Sequence, residues 1–235
     1  MDAQSPQTGA VIEVRDLGLG HRLVPYLEAW EYQRRLHDDV VAGHAPPTLL
    51  LLEHERVYTA GKRTEDGDLP QDGSPVVEVD RGGRITWHGP GQLVGYPILP
   101  LAERLDVVGY VRALEQMLID VAADFGVAAH PVPGRSGVWV PGPDPAPERK
   151  VAAIGVRVAG GVTMHGFAIN CDCALDDFSA IVPCGISDAG VSTLSLERES
   201  VGLGPVGVRE VADRVVARLT ALTPLVDGAD RLDVV

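Results

Sequence analysis

The sequence of 235 residues predicts an α/β fold of the α+β type, a mixed central β-sheet with flanking helices. Three observations carry this. Residues 24–41 and 106–125 place apolar side chains at helical spacing. The strand-like stretches 150–158 and 162–170 follow one another across Gly160-Gly161, a hairpin signal. Adjacent strands of this kind favour a partly antiparallel sheet over a purely doubly wound one. Third, helical and strand-like stretches alternate with no internal repeat and no linker. Residues 11–222 therefore read as a single domain of ordinary size, residues 1–10 as a disordered N-terminal tail and residues 223–235 as a C-terminal tail.

Residues 11–17 alternate apolar and charged positions and predict a strand. The helix over 24–41 is expected to bury Leu27 and Trp30. Residues 48–52 predict a short buried strand that ends in a polar loop at Glu53-His54. Residues 76–80 and 83–87 are expected to form a hairpin around Arg81-Gly82-Gly83. Residues 93–99 predict a strand broken by Pro97. In the helix over 106–125, Val107, Val111, Leu114, Leu118, Val121 and Phe125 form one buried stripe. Asp106 can cap its start and Gly126 can end it. Residues 138–140 predict a short strand. The run Pro141-Gly142-Pro143-Asp144-Pro145-Ala146-Pro147 can be neither helix nor central strand and predicts a surface loop. Residues 207–222 predict a last amphipathic helix.

Composition narrows the function classes. The apolar share of 45% supports a real core, and no stretch approaches a membrane span. The first ten residues lack the basic and then apolar pattern of a signal peptide. Three cysteines, an odd number, argue for reduced thiols and a cytoplasmic setting. A net charge of −13 argues against a nucleic-acid surface. That charge is uneven: from Arg81 to Ala102 there are two arginines and no acid. A locally basic face on an acidic protein suits an acidic partner or an anionic group. A Gly-rich, charge-poor motif would look the same.

Four stretches carry chemistry. In Arg81-Gly82-Gly83-Arg84-Ile85-Thr86-Trp87-His88-Gly89-Pro90-Gly91-Gln92, glycines let backbone approach a ligand while Arg, Thr, His and Gln crowd one short span. In Lys150-Val151-Ala152-Ala153-Ile154-Gly155, strand alternation puts Lys150, Ala152 and Ile154 on one face, with Ala153 and Gly155 leaving room on the other. In His165-Gly166-Phe167-Ala168-Ile169-Asn170-Cys171-Asp172-Cys173, the Cys-x-Cys lacks the ligand count of a zinc site. Its thiols are expected to share a strand face as small buried groups. In Pro183-Cys184-Gly185-Ile186, a thiol sits on a rigid turn with little beside it. Of 20 basic residues only Lys62 and Lys150 are lysines. Arginine holds its proton near neutral pH and lysine can be tuned to release it. Codon bias would also make lysine scarce.

Together, Arg81-Gly82-Gly83, Thr86-Trp87-His88, Gly91-Gln92, the Lys150-to-Gly155 strand and Pro183-Cys184-Gly185-Ile186 closely resemble the octanoyltransferase family of lipoate biosynthesis (LipB type), in its actinobacterial form. Leu51-Leu52-Glu53-His54 and Tyr58-Thr59-Ala60-Gly61 resemble that family's early active-site loop. The resemblance runs from about Val11 to Leu222. It implies a biotin/lipoate protein ligase-like catalytic domain. It implies octanoyl-acyl carrier protein as donor. The acceptor would be a lysine on lipoyl domains of 2-oxo acid dehydrogenase acyltransferase subunits or of the glycine cleavage H protein. Catalysis would use Cys184 as nucleophile, through a thioester, and Lys150 as acid and base. Substrate contacts would come from Arg81, Gly82, Gly83, Arg84, Ile85, Thr86, Trp87 and His88, from Ala153, Ile154 and Gly155, from Gly166, Phe167 and Ala168, and from His54. No metal and no cofactor is implied, and neither nucleic acid nor membrane is a partner.

Three other functions compete. An ATP-dependent lipoate-protein ligase of the same fold would activate a free acid. Its nucleotide loop is missing here, since Gly202-x-Gly204 lacks the rest of such a motif. An octanoyl or lipoyl amidotransferase between lipoyl-domain proteins would share the Cys/Lys dyad. A thiol redox sensor or metal module would use Cys171, Cys173 and Cys184.

Overall fold

The computed structural model describes residues 12–102, 107–142, 146–181 and 189–225. A large mixed sheet runs in the order β1 (Glu13–Asp16), β3 (Thr48–His54), β7 (Gln92–Ile98), β11 (Val162–Asn170), β10 (Arg149–Ala159), β9 (Arg135–Val140), β8 (His130–Val132). At its margins β2 (Leu23–Val24) pairs parallel with β3, and β12 (Gly190–Val191) pairs parallel with β10. A second sheet has β4 (Val57–Ala60) between β5 (Val76–Glu78) and β6 (Thr86–His88).

Helices cover both faces of the large sheet. On one face α2 (Val107–Asp124) and α4 (Val208–Arg218) enclose a core with Leu49, Leu51, Leu93, Ile154 and Ile169. On the other, α1 (Tyr26–Val41) packs on β7 and β11 over Leu50, Leu52, Val94, Ile98 and Ala168. The run Leu49-Leu50-Leu51-Leu52 is thus apolar throughout because β3 is buried on both faces. A short helix α3 (Leu194–Glu199) starts at Thr193, whose side chain caps the Leu196 N–H.

The hairpin of β10 and β11 forms as expected, with Gly160 (φ 58°) and Gly161 (φ 78°) supplying the left-handed turn. Helix α2 ends before Gly126 (φ 76°). Asp106 lies outside the described residues, as does part of the proline-rich run. The stripe of α2 is shifted: Tyr110, Leu114, Met117, Leu118 and Val121 are buried, whereas Val107 is exposed.

Five expectations are corrected. Leu27 is 60% exposed, because α1 buries the face of Tyr26, Ala29, Gln33, Leu36, His37 and Val40. Glu53 and His54 are not a loop but the buried end of β3. β5 and β6 do not form a hairpin with each other; both flank β4. Pro97 does not break β7. It opens the ladder only on the β11 side, where the pairing of Phe167 with Gly95 and of Val162 with Pro100 continues one register and sets His165 across from Pro97. Pro97 has no N–H to give there, and His165 turns left-handed (φ 57°) and donates its own N–H to Gln33 Oε1 at 3.1 Å. Finally, Cys171 and Cys173 lie beyond the end of β11 and pack in different clusters. Burial pushes the Cys171 thiol well up and the Cys173 thiol up to about 12, so both are held as thiols.

Candidate active site

On the α1 side of the large sheet, the small sheet and the loop at Arg81–Gly83 fold over β10 and β11 and leave a cavity of about 590 Å³. Ala153 and Gly155 of β10 line it with Gly166, Phe167 and Ala168 of β11. Tyr26 and Tyr96 add aromatic surface, and Thr86 and His88 face it from β6. Lys62 and Arg63, both exposed, stand on its rim with Arg84 and Arg135. The only two lysines of the sequence, Lys62 and Lys150, therefore line one cavity.

Lys150 reaches the cavity through an irregularity. The pairing of β10 with β9 shifts between Lys150 and Ala152, a β-bulge. Val151 and Ala152 both enter the core beneath the sheet, with Ile154 and Val156. Lys150 is thereby displaced onto the face of Ala153 and Gly155, opposite to simple alternation. Its side chain is buried, 7% exposed, and its Nζ lies 4.5 Å from the ring centroid of Trp139. β12 runs beside it: Gly190 and Val191 pair with Arg149 and Lys150, and the Ser192 N–H donates to the Lys150 carbonyl at 3.0 Å.

Arg81 ties its own loop to β4. Its guanidinium donates to the carbonyls of Gly82 (3.0 Å), Arg84 (2.9 Å) and Thr59 (2.8 Å) and to Thr59 Oγ1 (3.0 Å). Gly82 N–H in turn donates to the Val156 carbonyl at 3.0 Å, fastening the loop to β10. A β-carbon on Gly155 would meet Arg81 Cδ at 3.0 Å, so the small residue admits this clasp.

Three neutral histidines surround the aromatic wall. His54 donates from Nδ1 to the Val24 carbonyl at 2.8 Å and accepts the Tyr96 hydroxyl at Nε2, 2.7 Å. Burial pushes its imidazolium pKa down to about 4. His88 is pushed down to about 3, first by burial and then by the nearby His54. Its ring stacks on Tyr26 at 6.1 Å, and Nδ1 meets Gln92 Oε1 at 2.7 Å. His165, pushed down to about 4 by burial, bonds Asp80 at 2.8 Å, and Arg157 pairs with the same carboxylate. Burial of Asp80 works upward, yet the hydrogen bond from His165 and the charge of Arg157 hold its carboxyl below the usual range.

Most of the residues singled out in the sequence converge here: Arg81, Gly83, Arg84, Thr86, His88, Lys150, Ala153, Ile154, Gly155, Gly166, Phe167 and Ala168 all line the cavity. Gly82, Ile85, Trp87 and His54 do not. Ile85 and Trp87 point to the opposite side of β6, where Trp87 meets Phe178 edge-on at 5.2 Å. His54 stands behind Tyr96. Cys184 lies in residues 182–188, outside the described residues. Sequence reasoning missed Tyr26, Tyr96 and the stretch Lys62-Arg63-Thr64-Glu65, and it named His165 only within its stretch, without a role. Lysine scarcity was a signal for Lys62, and nothing local marked Tyr26. Among the described residues no group of three or more His, Cys, Asp or Glu is placed to hold a metal, and no helix is long and apolar enough to cross a membrane.

The model of the lipoyl protein ligase A/B catalytic domain family matches residues 25–220. The chain belongs to this family. Within it the similarity is to octanoyltransferases. That of Mycobacterium avium is 61% identical over 217 residues, covering 92% of this chain and 91% of the relative. That of Salinispora tropica is 66% identical over 172 residues, covering 73% and 81%. Among solved structures, a bipartite lipoate protein ligase of Thermoplasma acidophilum superposes with a TM-score of 0.63 at 14% identity, over 97% of this chain and 87% of that one. Lipoate-protein ligase A bound with ATP gives 0.62 at 15% identity, over 97% and 89%. Both likenesses speak for the fold alone.

Proposed function

We propose that the protein takes the octanoyl group from octanoyl-acyl carrier protein, carries it as a thioester on Cys184 and delivers it to a specific lysine of a lipoyl domain. The observation that supports this most is the placement of Lys150. A bulge turns it into the cavity, and the strand that pairs with it, β12, begins six residues after Cys184. The octanoyltransferase relatives supply the acyl group in question.

In the first half-reaction the Cys184 thiolate attacks the donor thioester carbon. The new C–S bond forms, the old one breaks, and the carrier leaves as a thiol after taking a proton. An ammonium beside a thiol favours the thiolate, and Lys150 supplies that proton to the leaving sulfur. One thioester replaces another, so the acyl-enzyme can accumulate. In the second half-reaction the acceptor amine, stripped of its proton, attacks the same carbon. The amide forms, Cys184 leaves as thiolate, and Lys150 receives the amine proton. The acyl chain lies against Ala153, Gly155, Gly166, Phe167 and Ala168. Each buried methylene contributes about 0.8 kcal/mol. The chemistry requires no cofactor, and the reaction belongs to the cytoplasm, where thiols stay reduced.

The test is intact-protein mass spectrometry after incubation with octanoyl-acyl carrier protein and no acceptor. One added octanoyl group, released by hydroxylamine and absent in Cys184→Ser, is the expected result. No adduct on reduced protein, together with ATP-dependent ligation of free octanoate, would replace the proposal with the ligase function.

A further inference from the structure

A directed hydrogen-bond relay fixes the orientation of His88. Asn170 Nδ2 donates to the Ser192 carbonyl at 3.0 Å, which leaves Asn170 Oδ1 to accept from Gln92 Nε2 at 2.9 Å. The same Gln92 amide also donates to the Trp87 carbonyl at 3.3 Å. Both ends of the relay are backbone carbonyls, which only accept. Gln92 must therefore turn Oε1 toward His88, 2.7 Å away, and His88 Nδ1 must carry the proton. A neutral imidazole protonated at Nδ1 has a bare lone pair at Nε2. That atom makes no hydrogen bond among the described residues, and His88 lines the cavity.

Resting on the acyl transfer proposed above, we infer that His88 is the substrate-contacting acceptor for an N–H of the attacking amine, and that Gln92 and Asn170 are positioning residues that hold it in that tautomer. The chemistry selects the amine. A thioester presents only acceptors, sulfur and carbonyl oxygen, at its reacting centre. An acceptor-only imidazole can contact neither favourably. Of the two substrates' reacting groups, the primary amine is the one that carries N–H bonds. An imidazole this hard to protonate does not remove the proton. It orients the nitrogen lone pair toward the carbonyl and leaves proton transfer to Lys150. β6 and β11 join through this relay to the chain that follows β12, so the acceptor is held against the strands that form the cavity.

Gln92→Glu cuts the relay between residue 92 and Asn170. A carboxylate at 92 can accept from His88 but cannot donate to Asn170, and it favours the imidazolium. The groups facing His88 from its neighbours are Tyr26 of α1, His54 of β3, His165 of β11 and Arg81 of the loop. None is altered by the substitution. Two measurements test the inference on the full chain. The first is the nitrogen chemical shift of His88, assigned by its loss in His88→Gln. The Nδ1–H tautomer, neutral at about pH 6, is expected, and an Nε2–H tautomer overturns the proposal. The second compares the two half-reactions, acylation by octanoyl-acyl carrier protein and transfer to a lipoyl domain. In Gln92→Glu the ratio of transfer to acylation should fall more than about tenfold near pH 6 and recover toward alkaline pH. A ratio that stays constant with pH, both steps falling together, would mean that the relay only supports the fold. Wild-type protein that forms no acyl-enzyme refutes the acyl-transfer function instead, which the tautomer measurement does not touch.

Discussion

Gly137 holds open the space that the Lys150 side chain occupies. A β-carbon at 137 would stand 3.2 Å from Lys150 Cε and only 2.5 Å from the Ala152 carbonyl oxygen, and Gly137 has φ 113°. Its N–H donates to the buried carboxylate of Glu115 at 3.0 Å, so α2 fixes the glycine and the glycine admits the lysine. Gly137→Ala combines a left-handed backbone with a backbone clash. We expect a loss of about 2 kcal/mol in stability, and a larger fractional loss of transfer activity than of folded protein. Denaturant unfolding and turnover of the folded fraction measure the two. Equal losses would disconnect Gly137 from Lys150.

Lys150→Arg preserves a charge at the cavity and removes a group that can exchange a proton. We expect transfer to fall by about 10²-fold or more, with the melting temperature changed little because the stem still packs beside Trp139. Near-normal turnover of Lys150→Arg would end the acid–base role assigned to this residue.

Arg81 lines the cavity, and its guanidinium also donates to its own loop and to β4. Arg81→Lys keeps the charge but cannot fork to three carbonyls. The expected cost is about 2–4 kcal/mol of stability. The Michaelis constant should rise no more than the loosened loop dictates. Thermal unfolding with ligand titration checks this, and full stability with lost binding would mean that Arg81 acts on the substrate and not through its loop.

The architecture was legible wherever one physical signal dominated. Apolar periodicity marked α2, and Gly160-Gly161 marked the β10–β11 turn. The cavity-lining motifs were legible as clusters of chemistry-bearing residues at short spacing. Three features were not. β5 and β6 are strand-like neighbours with a glycine turn, yet β4 takes the place between them, and no local pattern reports a third strand. Lys150 is on the cavity side only because of a bulge, which alternation cannot foresee. Tyr26 and Tyr96 meet His54 and His88 from α1 and β7, a long-range assembly invisible at any single position. Pro97 misled for the opposite reason: its missing N–H falls on the side of β7 where His165 has already turned away.

Chain-length selectivity should respond to β10. Ala153 lines the cavity beside Gly155, so Ala153→Leu fills volume that the proposed acyl chain would use. Each methylene excluded from burial loses about 0.8 kcal/mol, and the preference should move from octanoyl toward hexanoyl and butyryl thioesters by about tenfold or more. Competition between donors of different length measures it. An unchanged preference would place the chain away from Ala153.

Acid should destabilise the fold through its histidines. His54, His88 and His165 are held by burial near pKa values of about 4, about 3 and about 4, against 6.5 for an exposed imidazole. Below about pH 6.5 the unfolded chain takes up protons that the folded protein refuses, so unfolding is favoured as pH falls. The slope is up to about 1.4 kcal/mol per pH unit for each histidine, until the pH reaches the folded value. Above about pH 7 all three are neutral in both states and contribute no slope. The Asp80 carboxylate adds a further loss only below its unfolded range, near pH 4. Melting temperatures should therefore be level from about pH 8 to 7 and decline steadily from about pH 6 to 4.5. The decline should be shallower in His165→Asn, whose side chain does not titrate. A flat profile through pH 5 would mean that these imidazoles accept protons inside the folded protein, and the acceptor assigned to His88 would lose its basis with them.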